Sequence, residues 1–340
     1  MDREFPFDQD EFQWRDGERT ILFGGGGLAA AADTVADRGW GEYELLSTAR
    51  ALAEAPDALA GGAAAVHVVP GGAVPAISAE LLERVAQPNL VALGGGRVID
   101  TAKAIGSVRG GRVCAIPTTL SGAPMTTIHR LPEGAQAAGL IRPALVIADP
   151  VEMTGQPEER MRASAMNALA HGSDSLWTPL AHPVSRQAGL AGTGLIASAL
   201  DQPRAERDRA ALAIGALLCA FALDSALFAL HHVICQTLVR VLEIPHAETN
   251  ATILPRVLEA MRGRAPAEIA ALAASLGTDP AGIGPRVDGL GGGRRRLADL
   301  GADSGRLEDA LDAIQERGEL KMTPDSPDRD ELRRILEAAW

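Results

Sequence analysis

The segment NLVALGGGRVIDTAKAIG sets Gly94, Gly95 and Gly96 between an apolar, strand-like run and a helical pattern. Bare backbone N–H groups and a helix N-terminus would converge at that point, and such geometry attracts a diphosphate. A tight turn uses glycines as freely, so the triplet alone admits both readings. Asp100 and Lys103 follow on the same helix. Lys103 is placed to meet a phosphate or a ribose there, and each is otherwise a solvated helix charge. A second glycine run at 24–27, also between a strand and a helix, could bring backbone to the same dinucleotide or form a flexible turn. The strand ending Leu46-Ser47-Thr48 has no carboxylate at its tip, where dinucleotide folds often hold the adenine ribose. Such a site discriminates less against a 2′-phosphate, so NADPH stands beside NADH as a candidate.

These loops need a sheet to position them. Between Arg19 and Pro150 the runs RTILF, YELLST, AAVHVV, NLVAL, RVCAIP and ALVIAD alternate with helix-like segments and turn signals. The alternation predicts a mostly parallel sheet covered by helices, an α/β dinucleotide-binding domain over residues 1–150. Beyond Asp149-Pro150 the chain turns to long Ala/Leu-rich stretches of helical period at 158–177, 184–200 and 204–230, so residues 151–340 read as an all-α domain. The Gly/Arg stretch at 289–296 reads as a surface loop.

With 32 Lys and Arg against 44 Asp and Glu, the formal net charge is -12. Scattered cations and an acidic balance argue against nucleic acid, whose phosphates call for clustered Lys and Arg. The N-terminal MDREFPFDQDEFQWRDGER is acidic and lacks the basic start and apolar core of a secretory signal, so a cytoplasmic protein is expected. The longest apolar stretch, 210–223, is short for a bilayer and reads as a buried helix. Cys114, Cys219 and Cys235 are odd in number and lie in apolar contexts, which predicts reduced core thiols.

Three ordered blocks resemble the iron-containing alcohol dehydrogenase superfamily. GGGRVIDTAK (94–103) is similar to the family's GGGSxxDxAK, with Arg97 where serine is usual, and IPTTLSGAPMT (116–126) is similar to PTTxxGSExT. The third block pairs SAMNALAHGSD with HHVICQTLVRVLEIPHAETNATILP. HHxxCxTL followed by PHAET looks specifically like the maleylacetate reductase branch, which reduces maleylacetate to 3-oxoadipate late in aromatic-ring catabolism. The resemblance implies a dehydroquinate synthase-like fold, with an α/β domain followed by a helical one. It also implies NAD(P)H as cofactor, with Thr118, Thr119 and Thr126 among its contacts, a small acidic carbonyl substrate, and a homodimer or larger assembly.

In metal-dependent members an Asp, a His four residues later and two further His bind iron or zinc. The matching positions here are Asn167, His171, His232 and His246. Asn167 lacks the anionic oxygen that draws a hard cation, so the resemblance implies a metal-independent enzyme of the maleylacetate reductase type. Imidazoles would then stabilise the oxyanion that forms during hydride transfer, with His246 or His232 as proton donor and His231 in a lesser place. Two departures bear on the reaction. Gln236 stands where a second histidine is usual, one turn after His232, and Ala123-Pro124 replaces Ser-Glu. His129 and Arg130, just past that loop, are candidate partners for a substrate carboxylate. Two other readings stand beside this one: a biosynthetic member acting on another carbonyl or enone, and a non-redox descendant that binds a small acidic ligand.

Overall fold

The structure is a computed structural model that describes residues 19–136 and 139–340; the acidic stretch considered above at the N-terminus lies almost wholly outside them. Two compact units divide the described chain, residues 19–156 and residues 157–340.

The first unit contains β1 (Thr20–Phe23), α1 (Ala31–Asp37), β2 (Glu44–Ser47), α2 (Ala49–Glu54), α3 (Asp57–Gly61) and β3 (Ala65–Val68). It continues with α4 (Val74–Arg84), β4 (Asn89–Gly94), α5 (Gly96–Arg109), β5 (Arg112–Pro117), β6 (Leu145–Ala148) and α6 (Pro150–Met153). All six apolar runs read from the sequence are strands. They form one wholly parallel sheet in the order β1-β6-β5-β4-β2-β3. Both faces are buried: Leu45, Val91, Leu93, Cys114 and Ile116 pack on one side with Trp40 and Leu59. Their neighbours Leu46, Leu90, Ala92, Val113 and Ala115 pack on the other with Ile77, Leu81 and Ile105. Alternate residues face opposite layers, so the central strands, covered on both faces, are mostly apolar and lack regular polar alternation; the buried exceptions are paired, Glu44 with His67 and Ser47 with the Leu93 carbonyl. Each fully buried Leu or Ile contributes about 1.5–3 kcal/mol.

The direction of chain progression across the sheet reverses between β2 and β4. From β2 the chain passes outward to β3, and from β4 it passes the other way to β5. Helices leaving adjacent strands toward opposite faces open a crevice at the strands' carboxyl ends, where open α/β sheets bind ligands. Gly94 ends β4 at that point.

The second unit is helical: α7 (Glu158–Asp174), α8 (Pro183–Asp201), α9 (Arg209–Ala226), α10 (Leu230–Leu242), α11 (His246–Met261), α12 (Pro266–Ser275), α13 (Ile283–Leu290), α14 (Leu307–Gln315) and α15 (Arg329–Ala339). Three short 3₁₀ turns, including Gly318–Met322, complete it among the described residues. The expected helix over 204–230 is divided. Asp208 caps α9 by accepting from the Ala211 N–H, α9 ends at Ala226, Leu227 takes the left-handed φ of 61°, and α10 begins afresh. α9 is longer than the stretch read from the sequence: it has 18 residues with mean hydropathy 1.6, long and apolar enough by composition to cross a membrane. Here it packs between α7 and α8 as a core helix. The packing is close because a Cβ on Gly172 or on Gly192 would lie 2.7 Å from the Cys219 sulfur. Cys114, Cys219 and Cys235 are all buried and none is in a disulfide, as expected.

Candidate active site

In the first unit the glycine triplet is tightly enclosed. A Cβ on Gly94, whose φ is 158°, would lie 2.7 Å from Val98 Cγ2; on Gly95 it would lie 2.9 Å from Thr119 Cγ2, and on Gly96 3.2 Å from Ser121. Gly95 is the N-cap of α5 and supplies no side-chain acceptor, so the first N–H groups of the helix keep no cap of their own. Thr118 donates its N–H to the Gly94 carbonyl at 3.0 Å, and Thr118 and Thr119 stand half-buried beside the loop. Arg97 is exposed in the first turn of α5. The structure brings the glycine triplet, Thr118 and Thr119 together. The other run, 24–27, forms the turn from β1 to α1, with Gly24 N–H on the Ala148 carbonyl and Gly26 at φ 80°.

Lys103 departs from expectation. Its side chain is fully buried, and its ammonium donates to the carbonyls of Ala123 (3.1 Å), Thr126 (2.9 Å) and Ile128 (2.9 Å) while pairing with Asp100 at 2.8 Å. A cation so saturated holds the 123–128 loop and is not offered to a phosphate. Asp100 is its counter-ion, and Thr126 is buried with its carbonyl engaged, so these three serve the loop that replaces the family's Ser-Glu. His129 is likewise tied into its own loop, accepting from the Ile141 N–H at 3.3 Å, while Arg130 is exposed.

In the second unit Asn167 and His171 lie on one face of α7, and the His171 ring stands 5.0 Å from that of His232 at 17°. All three side chains are buried, and Asn167 Oδ1, His171 Nδ1 and His232 Nε2 have no hydrogen-bond partner among the described residues. Their arrangement depends on Asp174, the last residue of α7, which the sequence reading passed over. Asp174 Oδ2 accepts from the His232 Nδ1–H at 2.8 Å and from the N–H groups of Ala229 and His232 at 3.1 Å; Oδ1 accepts from the His231 N–H at 3.4 Å. The carboxylate thus caps α10 from another helix and fixes the His232 proton on Nδ1, leaving the Nε2 lone pair open. Three residues beyond His171 in HGSD, it lies on the His171 face of α7, and that spacing was the available signal.

His231 points to a different partner: its Nε2 meets Asn250 Oδ1 at 2.8 Å, and the Asn250 Nδ2–H donates to the His246 carbonyl at 2.7 Å. It ties α10 to α11. His246 opens α11, is exposed, and is near enough to affect the charge of His171 and His232. Gln236 is not paired with a histidine. Its Oε1 accepts from Arg317 Nη2 at 3.0 Å.

Burial, followed by the charges of His232, His246 and His231, holds His171 well below the ordinary histidine range. Burial lowers His231 and His232 to about 3. The cluster is therefore neutral at rest, which narrows the expectation of protonated or neutral rings. Burial pushes the Asp174 carboxyl up, and the His231 charge and backbone N–H groups pull it back. For the histidines the folded pKa lies below the unfolded value of 6.5, so the unfolded chain takes the proton first. Their contribution to stability is complete above the ordinary histidine range and is lost as pH falls from there toward 3, at about 1.4 kcal/mol per unit for each ring. The urea midpoint should therefore fall between about pH 7 and about pH 5, and less steeply in His231→Asn; equal midpoints would contradict the neutral cluster.

A parallel sheet with a glycine loop at its reversal point, and a helical unit holding a histidine cluster, define a class. The chain belongs to the Fe-containing alcohol dehydrogenase family, whose C-terminal part matches residues 161–340, and it is an NAD(P)-dependent oxidoreductase. It is 31% identical to the maleylacetate reductase of Pseudomonas knackmussii over 281 residues, 78% of this chain and 79% of that one. The iron-containing alcohol dehydrogenase of Corynebacterium glutamicum has a similar structure, with a TM-score of 0.87 and 30% identity over 98% of this chain and 97% of that one. The maleylacetate reductase of a Rhizobium species gives a TM-score of 0.85 at 26% identity over 98% and 99%.

Proposed function

We propose that this chain is an NAD(P)H-dependent reductase of the maleylacetate reductase type, acting on a keto acid or a conjugated enone acid. One observation carries the reading: Asn167 Oδ1, His171 Nδ1 and His232 Nε2 are three buried polar atoms without a partner among the described residues, and the last belongs to a histidine oriented by a buried carboxylate. A buried polar group without a partner costs about 1–3 kcal/mol, so a cluster of them favours a polar ligand.

Bound NAD(P)H supplies the hydride. The glycine loop would hold the diphosphate on the uncapped N–H groups of α5, and a Cβ at Gly94 or Gly95 would crowd Val98 or Thr119. In reduction of a ketone, or of an alkene conjugated with it, the carbonyl oxygen gains the negative charge. Asn167, through its Nδ2–H, and His171, through a ring N–H, donate hydrogen bonds to that oxygen in a buried site. His232 takes a proton on Nε2, Asp174 stabilises the imidazolium so formed, and Nε2 then gives the proton to the reduced substrate. His246, exposed at the start of α11, exchanges protons with solvent. A homodimer or larger assembly and a cytoplasmic location complete the proposal.

The family name raises iron, and the donor set is a poor fit for it. Asn167 offers an uncharged amide oxygen where Fe²⁺ calls for an anion, and among the described residues no three His, Cys, Asp or Glu side chains are arranged to hold a metal ion. None of the residue roles above depends on a metal. The test is oxidation of NADH and NADPH with maleylacetate and a panel of keto acids. Protein stripped by a chelator and shown by elemental analysis to lack Fe and Zn should keep its activity. Loss on stripping and return with Fe²⁺ or Zn²⁺ would overturn the metal-free chemistry, and no oxidation of either nucleotide would overturn the reductase.

A further inference from the structure

We propose that Arg317 binds a carboxylate of the substrate, one helical turn along α10 from His232, an inference that rests on the keto-acid reading above. Residues four apart on a helix share a face with Cβ atoms about 5–6 Å apart, so Gln236 follows His232 along the same face. The Gln236 carboxamide accepts from Arg317 Nη2 at 3.0 Å. Glu319 takes the other side of the guanidinium, with Nε donating to Oε2 at 3.0 Å and Nη2 to Oε1 at 2.9 Å. Arg317 caps the Gly318–Met322 turn, which packs against α10, and only 18% of its side chain is exposed.

The guanidinium is thus held from two sides, and both N–H groups of Nη1 remain without a partner among the described residues. A fixed, half-satisfied guanidinium is well suited to a carboxylate, because little side-chain entropy is lost when the bond forms. Gln236, which holds the guanidinium, starts one turn from His232, a spacing comparable with the few bonds that separate carbonyl oxygen and terminal carboxylate in a short keto acid. Gln236 also gains a role that a histidine would fill badly: it is an acceptor that presents the cation while adding no charge. Glu319, 45% exposed, keeps the pair near neutral until substrate arrives.

Arg317→Gln removes the charge, and Glu319→Gln breaks the same ion pair while leaving the charge. If Arg317 only stabilised the fold, both variants would act alike. Substrate binding predicts opposite effects. Arg317→Gln should raise the KM for maleylacetate about ten- to hundredfold with little change in kcat, whereas Glu319→Gln should lower it. Nucleotide affinity and the turnover of an uncharged ketone should not change, and Arg317→Lys should recover part of the loss. Calorimetry with 3-oxoadipate runs beside the assay. If wild type binds 3-oxoadipate through Arg317 but reduces no acid, the site stands and the reductase reading falls. If wild type reduces maleylacetate and Arg317→Gln has the same KM, the reading stands and this assignment falls; if wild type neither binds nor reduces, both fall.

Discussion

Gly95→Asp is expected to abolish nicotinamide nucleotide binding while leaving the fold intact. Position 95 is the N-cap of α5 with φ -79°, a backbone conformation open to any residue. Asp is among the preferred N-cap residues, and its carboxylate would accept from the free N–H groups at the start of the helix, a gain of about 1 kcal/mol. That gain offsets the crowding of a Cβ 2.9 Å from Thr119 Cγ2, so the protein should remain folded. The same carboxylate would occupy the place of the diphosphate and repel it. Together these effects should cost at least about 100-fold in affinity, equivalent to roughly 2.7 kcal/mol. Gly95→Ala separates steric from electrostatic loss and should weaken binding less. Calorimetric titration with NADH and NADPH decides: unchanged affinity in a folded Gly95→Asp protein would remove this loop from the cofactor site.

His232→Asn is expected to lower kcat by about 10²- to 10⁴-fold, the usual contribution of a positioned acid or base. The amide keeps an N–H near the place of Nδ1, so Asp174 retains a donor and the α10 cap survives, whereas Nε2 is lost. Alanine would leave the buried Asp174 carboxylate short of one hydrogen bond, at about 1–3 kcal/mol, which makes asparagine the cleaner variant. Nucleotide affinity should be unchanged, because the glycine loop belongs to the other unit. Asp174→Asn should reduce kcat in the same direction, and the double variant should lose little more than His232→Asn, since the two side chains act as one. Wild-type kcat in His232→Asn would exclude this ring from the chemistry.

Much of the fold follows from local pattern. Each of the six strands lay under a run rich in apolar residues, because the central strands are covered on both faces, and the glycines between β4 and α5 marked the loop. The α10 boundary was not legible. The segment 204–230 has helical period with an apolar stretch from 210, and it breaks at Leu227, where Asp174, more than fifty residues earlier, captures the N–H groups of Ala229, His231 and His232.

By itself the sequence determined the mostly parallel sheet, the glycine loop between a strand and a helix, the pairing of Asn167 with His171 on one turn, and the family. These depend on period, on the absence of a side chain, or on a spacing of four, all of which act over a few residues. Only the tertiary structure decided what the polar side chains face. It turned Lys103 away from a phosphate and onto three carbonyls, put Asp174 behind His232, gave His231 to Asn250, and joined Gln236 to Arg317 across eighty-one positions of chain. A buried donor or acceptor must find a partner wherever packing puts one, and that partner is set by how helices distant in sequence meet.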